Sequence, residues 1–175
     1  MSRTKGLFVG LALFLVSATL SVAGGVGGVG FGYQFSDPQL SGANLNMMYT
    51  MGYGYGTSRY GDRAGGFGMT LLSTTGQPSG GVGGLLVGHE WREGSAVGAV
   101  TLLGGVGGVG TDTAGYMILF GEADVEFGVW ITRWMEISAY AGYQAWGNMV
   151  PGPAFTLLTN YTPVLGIRLA WGGSR

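Results

Sequence analysis

Hydrophobic and polar residues alternate along this chain with a period of two, most regularly between Met117 and Trp146. A period of two indicates β-strands, because successive side chains of a strand point to opposite faces. In the first half of this stretch, one face has no charged or hydrogen-bonding side chain, and the other carries Glu122, Asp124 and Glu126. The alternation restarts at Met135 after a turn at Thr132 and Arg133, which predicts a hairpin of two long strands.

The same pattern predicts eight strands, which the turn signals between them help to delimit. Their expected ranges are 26–35, 43–55, 62–72, about 81–92, 96–109, 117–131, 135–146 and 160–171. Each is long enough to cross a bilayer as a tilted strand, and an even number of strands is typical of bacterial outer-membrane barrels. The connections after the odd strands are expected to be the longer ones and to face the exterior, above all Ser36 to Gly42 and Gly147 to Thr159.

Charged residues separate by strand face. The faces assigned to lipid include every second residue from Met47 to Tyr55 on the second strand, and Phe67, Met69 and Leu71 on the third. These faces carry no charged residue except Arg63, which lies at a strand end. Asp62 is placed on the opposite face. The charge network predicted for the lumen is Glu90, Arg92, Glu122, Asp124, Glu126, Glu136 and Arg168.

Aromatic residues cluster near strand ends, where transmembrane barrels have their girdles. The interfacial aromatics predicted from this position are Tyr53, Tyr55, Trp91, Trp130 and Trp171. A soluble β-sandwich is the competing architecture, because its dry core would also exclude charge. Its outer face should then be widely charged, whereas here the second face is largely glycine, threonine and asparagine.

Composition narrows the class of protein. Glycine supplies 38 of the 175 residues without a Gly-X-Y period, which excludes collagen. Charged residues make up 10%, which argues against a highly charged disordered chain. Cysteine is absent, so no disulfide framework or thiolate metal site is expected. The chain is mildly acidic and has no basic patch, which counts against nucleic-acid binding.

The N-terminus has the pattern of a secretory signal peptide. Arg3 and Lys5 precede an apolar stretch from Gly6 to Leu20, and Ser21-Val22-Ala23 fits the small-x-small cleavage rule. We therefore expect residues 1–23 to be removed and residues 24–175 to form a single barrel domain. An uncleaved membrane anchor is the alternative, although the apolar run is short for a spanning helix.

Two segments carry a family resemblance. Val129 to Gln144 has a strand, a short turn, a tryptophan and a strand ending in Gly-Tyr, and Pro163 to Trp171 is similar to a terminal barrel strand. With the signal peptide and the alternating strands, these segments make the chain resemble small eight-stranded outer-membrane β-barrel proteins of bacteria. The resemblance implies recognition by the barrel-assembly machinery, and no named activity comes with it. The chain departs from the family by continuing through Gly172 to Arg175.

Candidate sites are few. The carboxylates at Glu122, Asp124, Glu126 and Glu136 would form a cation site or proton path, or, as we favour, a structural network of salt bridges and water. His89 is the sole histidine, and it lies on an apolar face beside Trp91, an unfavourable setting for a catalytic base. GGVGGVG occurs twice but lacks the following helix and Lys-Ser/Thr of a phosphate loop. We predict no catalytic residue, cofactor or metal.

The sequence thus favours an all-β protein, an eight-stranded antiparallel up-and-down transmembrane β-barrel of the bacterial outer membrane. A lumen of this size is filled by side chains, so the expected role is non-enzymatic: anchoring, and display of outer loops to lipid, a surface ligand or another copy. Two alternatives stay open. One is a secreted glycine-rich protein that assembles into fibres through open strand edges, and the other is a lipid-modifying barrel enzyme that uses His89.

Overall fold

The computed structural model describes residues 25–35, 47–73, 79–110, 115–150 and 156–172. The predicted signal peptide, its cleavage site and the predicted loop Ser36 to Gly42 lie outside these residues. All regular structure in the described part is β. The strands are β1 (Val26–Gln34), β2 (Met47–Thr57), β3 (Asp62–Ser73), β4 (Ser79–Glu93), β5 (Ala96–Gly110), β6 (Gly115–Trp130), β7 (Met135–Val150) and β8 (Thr156–Gly172).

These eight strands form a closed barrel in which each strand pairs antiparallel with its sequence neighbours and β8 pairs with β1. The predicted all-β, eight-stranded antiparallel up-and-down barrel is therefore confirmed, with most strand ends within two residues of expectation. The predicted loop Gly147 to Thr159 is wrong in length. Residues 147–150 pair with 156–159, which extends both β7 and β8 into this stretch.

The stagger of the strands sets the shape of the barrel. A path across paired residues leaves β3 at Arg63 and returns to β3 at Ser73, ten positions further along, after passing Gly88, Thr101, Asp124, Gly142, Val164, Gln34 and Met47. For eight strands, that stagger corresponds to a tilt of about 40° and a backbone radius of about 8 Å. Such an interior holds side chains and leaves no wide channel.

The three described connections, after β2, β4 and β6, lie at the same end of the barrel, which we name the turn end. Gly61 and Gly94 have positive φ angles of 95° and 61°, which residues with a side chain rarely adopt. The opposite end, where β1, β3, β5 and β7 finish, is named the loop end. Among the described residues, no helix is long and apolar enough to cross a membrane.

Burial alternates along most of the described strand positions and identifies the inner face. On β1, β4, β6, β7 and β8 the inner and outer faces are those predicted from the sequence. On β2 and β3 they are reversed, which is a correction. The large residues, among them Tyr49, Tyr53 and Phe67, lie inside, and the outer face consists mainly of glycine, alanine and threonine with Met48 and Leu72.

Candidate functional site

The lumen contains a buried ion-pair network centred on Arg168 of β8. Its guanidinium donates two hydrogen bonds to Asp124, from Nη1 to Oδ1 at 3.0 Å and from Nη2 to Oδ2 at 2.7 Å. Nη1 also donates to Glu126 Oε2 at 2.8 Å. All three side chains are almost fully buried. Bidentate pairing of this kind fixes geometry as well as charge, so the network ties β8 to β6 across the barrel.

Arg63 extends the network to the other side of the lumen. Its Nε donates to Glu90 Oε2 at 2.8 Å and its Nη1 to Glu126 Oε2 at 3.3 Å, so Glu126 joins the two buried arginines. Ser138 Oγ completes the shell of Glu126 by donating to Oε1 at 2.7 Å. The sequence had placed Arg63 on the lipid face. The structure corrects this, because Arg63 shares a face with Phe67 and Met69, and that face lies inside.

The turn end of the network is covered by Arg92. Its Nε lies 2.9 Å from Glu90 Oε1, and its guanidinium carbon lies 4.7 Å from the centroid of the Trp130 ring. Arg92 keeps 29% of its side chain exposed, whereas Glu90 keeps 5%. Trp130, expected among the interfacial aromatics, thus lies at the mouth of the lumen against Arg92.

Carboxylates outnumber guanidinium groups inside the barrel. Five carboxylates are buried (Glu90, Glu122, Asp124, Glu126 and Glu136), against two arginines, Arg63 and Arg168. Glu136 has no ion-pair partner within the described residues, and its Oε2 accepts no hydrogen bond. The predicted lumen residues are thus brought together, and Arg63 is the member that sequence reasoning missed. The available signal was that Arg63 and Phe67 share one face of β3, so the charge of Arg63 could have marked that face as the inner one.

A row of polar side chains continues from the network toward the loop end. Gln144 Nε2 donates to Glu122 Oε2 at 2.6 Å, and Gln34 Nε2 donates to Thr162 Oγ1 at 2.8 Å. Gln144 and Thr162 are register partners on β7 and β8. The Oε1 atoms of Gln34 and Gln144 are buried and accept no hydrogen bond. The row therefore presents unpaired acceptors on the inside of the barrel.

An apolar cluster lies beside this polar row near the loop end of the lumen, where Gln34 is the register partner of Met47. The rings of Phe120 and Trp146 lie 4.7 Å apart, and those of Phe67 and Phe120 lie 5.7 Å apart. Met47, Leu71, Val82, Val109 and Ile118 belong to the same buried cluster. We name Met47, Leu71, Ile118, Phe120 and Trp146 the apolar plug, because each lies near the loop end of its strand.

Tyr53 and Tyr55 were predicted at the membrane interface, and this is wrong. Both are buried, with 4% and 5% exposure, and their rings stack inside the lumen at 6.1 Å. The cause is the inner face of β1, which offers Gly28, Gly30 and Gly32. A Cβ on Gly28 would overlap the Tyr53 ring, and one on Gly32 would overlap Tyr49. The large rings of β2 occupy the space that these glycines leave.

The outer wall has the opposite composition to the lumen. It exposes large apolar side chains around most of the barrel, for example Leu85 at 73% and Phe127 at 67%. An apolar groove of about 570 Å³ crosses it, with Ala123 and Ala141 among its lining residues and Val100, Tyr143 and Leu165 beside them. Among the exposed aromatics, Tyr60, Trp91 and Trp134 lie at the turn end, Phe35 and Tyr161 lie toward the loop end, and Phe31, Phe127 and Tyr143 lie within their strands. Trp171 is half-buried near the turn end.

His89 lies on the outer wall at the turn end. Its Nδ1 is 3.1 Å from Asp62 Oδ1, and Ser58 Oγ donates to Asp62 Oδ2 at 3.0 Å. The Asp62 carboxylate therefore contacts both the serine and the histidine. Asp62 was predicted to lie on the lumen face, and this is wrong. Its side chain is exposed on the outer wall, where it contacts His89.

Within the described ranges, no group of three or more histidine, aspartate or glutamate side chains could hold a metal ion. No protein-family model matches the chain, and comparisons with curated proteins and with solved structures also return no match.

Proposed function

We propose that this protein spans the bacterial outer membrane as a non-enzymatic barrel that anchors and displays its loop-end connections. The observation that carries the proposal is the inverted distribution of polarity. Charged side chains are collected in the lumen, while a wide wall of large apolar side chains is exposed. Monomeric soluble proteins rarely expose a continuous apolar surface of this extent, whereas a lipid-facing wall requires one.

The two aromatic sets support the same placement. Tryptophan and tyrosine favour the boundary between lipid and water, because each ring has an apolar body and a polar edge. Apart from Asp62 and Glu93 at the turn end, the outward-facing described strand positions carry no Asp, Glu, Lys or Arg. At a tilt of about 40°, roughly ten residues cross an apolar band of about 25 Å, and most strands are longer than this.

The loop end is the side proposed to face outward, by the orientation rule that bacterial barrels have short periplasmic turns. The three described turns, with exposed Arg59, Glu93 and Arg133, would then face the periplasm. The signal peptide predicted for residues 1–23 supplies the export route. Lipid and the barrel-assembly machinery are the partners this proposal requires.

Envelope fractionation followed by gel electrophoresis of unheated and boiled samples tests the proposal. A closed barrel stays folded in the unheated sample and migrates differently from the boiled chain. We expect this heat-modifiable band in the outer-membrane fraction. A band confined to the periplasm, or recovered without detergent as a soluble monomer, would contradict the membrane placement.

The same experiment addresses the two alternatives. Fibre assembly through strand edges predicts a detergent-resistant species of high mass in the medium, but β1 to β8 leave no unpaired edge in the barrel. A lipid-modifying enzyme predicts that His89→Ala alters outer-membrane lipid composition. We expect mass spectra of the lipids to be unchanged, because the His89 ring is exposed at the turn end and paired with the Asp62 carboxylate.

A further inference from the structure

The basic residues of the described barrel are collected at the turn end and in the part of the lumen next to it. Arg63 and Arg168 are buried in the ion-pair network, and Arg92 covers its mouth. Arg59 and Arg133 lie exposed in the turns after β2 and β6. By sequence, no Lys or Arg occurs in the four connections at the loop end, residues 35–46, 74–78, 111–114 and 151–155. The two ends of the barrel therefore differ in the charge that they offer to a partner.

Arg59 lies against an aromatic ring in the turn after β2. Its guanidinium donates a hydrogen bond to the Tyr60 hydroxyl, and its guanidinium carbon lies 4.6 Å from the centroid of that ring. Tyr60 is 67% exposed. The backbone closes the turn beneath this pair, since the Ser58 N–H donates to the Asp62 carbonyl at 2.8 Å. The turn thus presents a guanidinium and an aromatic ring together.

The turn after β6 presents the same combination. Arg133 is exposed, and the Trp134 that follows it is 59% exposed. The Trp134 N–H donates to Thr132 Oγ1 at 3.2 Å, and the Trp134 carbonyl accepts from the Gly172 N–H at 3.0 Å, which fixes the backbone of the turn. In the closed strand order, four strands separate this turn from the turn after β2 in either direction. The two arginine–aromatic pairs therefore lie on opposite sides of the barrel.

Neither of these two arginines is engaged by a carboxylate. Arg59 and Arg133 form no ion pair within the described part of the chain, and the exposed Asp62 contacts His89 and Ser58 instead. A guanidinium presents a planar fork of donors that matches the oxygens of a phosphate group. Tyrosine and tryptophan rings favour the boundary between lipid and water, where the headgroups lie. A guanidinium held beside such a ring therefore matches a lipid phosphate in depth and in charge, whereas the loop-end connections have acidic residues and no basic one.

We propose that the turn end binds the phosphate groups of anionic phospholipids through these two pairs, Arg59 with Tyr60 and Arg133 with Trp134. Because the pairs lie on opposite sides of the barrel, they contact different lipid molecules. Binding at both sides fixes the depth of the turn end and limits the tilt of the barrel. The proposal rests on the membrane placement proposed above, and it adds the class of lipid that one end of the barrel recognises.

Arg59→Gln, Arg133→Gln and the double variant test the proposal. Urea unfolding, followed by gel mobility, is compared at low ionic strength in vesicles of phosphatidylcholine and in vesicles of equal parts phosphatidylcholine and phosphatidylglycerol. We expect phosphatidylglycerol to raise the folding equilibrium constant of wild type. Each single variant should lose about fivefold of that rise, the usual contribution of one arginine near an anionic surface, and the double variant should lose both contributions.

Glu93→Gln is the matched control, because it changes the charge of the turn end by the same amount in the third turn, where no arginine–aromatic pair exists. It should leave the response to phosphatidylglycerol close to that of wild type. The three positions are exposed at the turn end, so in phosphatidylcholine alone we expect all variants to unfold near the wild-type midpoint.

An equal response of wild type and the double variant to phosphatidylglycerol would overturn the proposal. A change in Glu93→Gln as large as that in Arg59→Gln and of opposite sign would also overturn it, because net charge would then explain the response without the two pairs. Both results leave the membrane placement intact, since heat-modifiable migration in the outer-membrane fraction is measured separately. A chain that folds into neither kind of vesicle would contradict both proposals.

Discussion

The hairpin of β6 and β7 and the hairpin of β2 and β3 follow the same alternating pattern, yet they orient large residues in opposite directions. On β6 the inner face carries Glu122, Asp124 and Glu126, and the outer face carries large apolar residues such as Phe127. On β2 the inner face carries tyrosines and methionines, and the outer face is mostly glycine and threonine. Both hairpins fill the lumen, one with ion pairs and one with rings.

The difference shows that alternation defines two faces but does not decide which is inside. On β6, the carboxylates mark the inner face, because Arg63 and Arg168 pair with them there. On β2 no charge exists to mark it, and the decision depends on the neighbouring strand. The glycines of β1 leave space that Tyr49 and Tyr53 fill.

The largest loss of stability is expected when the ion pairs on one side of the lumen are broken and the aromatic side is left unchanged. Arg168→Met leaves Asp124 and Glu126 without their main counter-charge, and breaking such a buried pair costs about 3–5 kcal/mol. Urea unfolding in detergent measures the loss, with the exposed Arg133→Met as the control that should stay near wild type. A stability within error of wild type would show that the network is not stabilised by Arg168.

The second prediction tests the orientation of the two hairpins. Val125→Arg on β6 and Thr50→Arg on β2 both place a charge on the proposed lipid face, and each should cost about 2–4 kcal/mol in a bilayer near its midplane. Folding into vesicles measures both. Glu93→Arg, at the exposed turn-end terminus of β4, is the control. If Thr50→Arg were tolerated while Val125→Arg was not, the outer position of Thr50 in a membrane would be contradicted.

The third prediction concerns the fit between β1 and β2. Gly32→Ala forces a Cβ into the Tyr49 ring and should destabilise the barrel by about 1–3 kcal/mol, the usual cost of overpacking. Gly104→Ala is the matched control, since a Cβ there meets nothing within 4 Å. Equal unfolding midpoints for the two variants would show that the ring does not depend on the glycine.

The smallest effect is expected at the exposed pair of His89 and Asp62. His89→Ala removes a contact that lies in solvent at the edge of the turn end, where pairs of this kind contribute little. Unfolding midpoints of His89→Ala and wild type should coincide within error. A clear loss of stability would give this pair a role that its exposure does not suggest.

Much of the fold could be predicted because the backbone period is local. Strand number, antiparallel order and the inner faces of β1, β4, β6, β7 and β8 follow from alternation, turn residues and charge. The structure brings Glu90, Glu122, Asp124, Glu126, Glu136 and Arg168 together inside the barrel, where all six are buried. The contact between the Arg92 guanidinium and the Trp130 ring could not be predicted, because it depends on how the turn-end termini of β4 and β6 pack together.

The sequence by itself determined that this chain forms alternating strands with one face free of charge, since side-chain direction in a strand depends on position parity alone. The tertiary structure decided which face of β2 and β3 is inside, where Arg63 lies, and that Tyr53 and Tyr55 fill the lumen. Those outcomes depend on closure. With the strands in a ring of fixed stagger, every inner position must share one narrow volume, and the glycines of one strand fix the size of residue that its neighbour can place there.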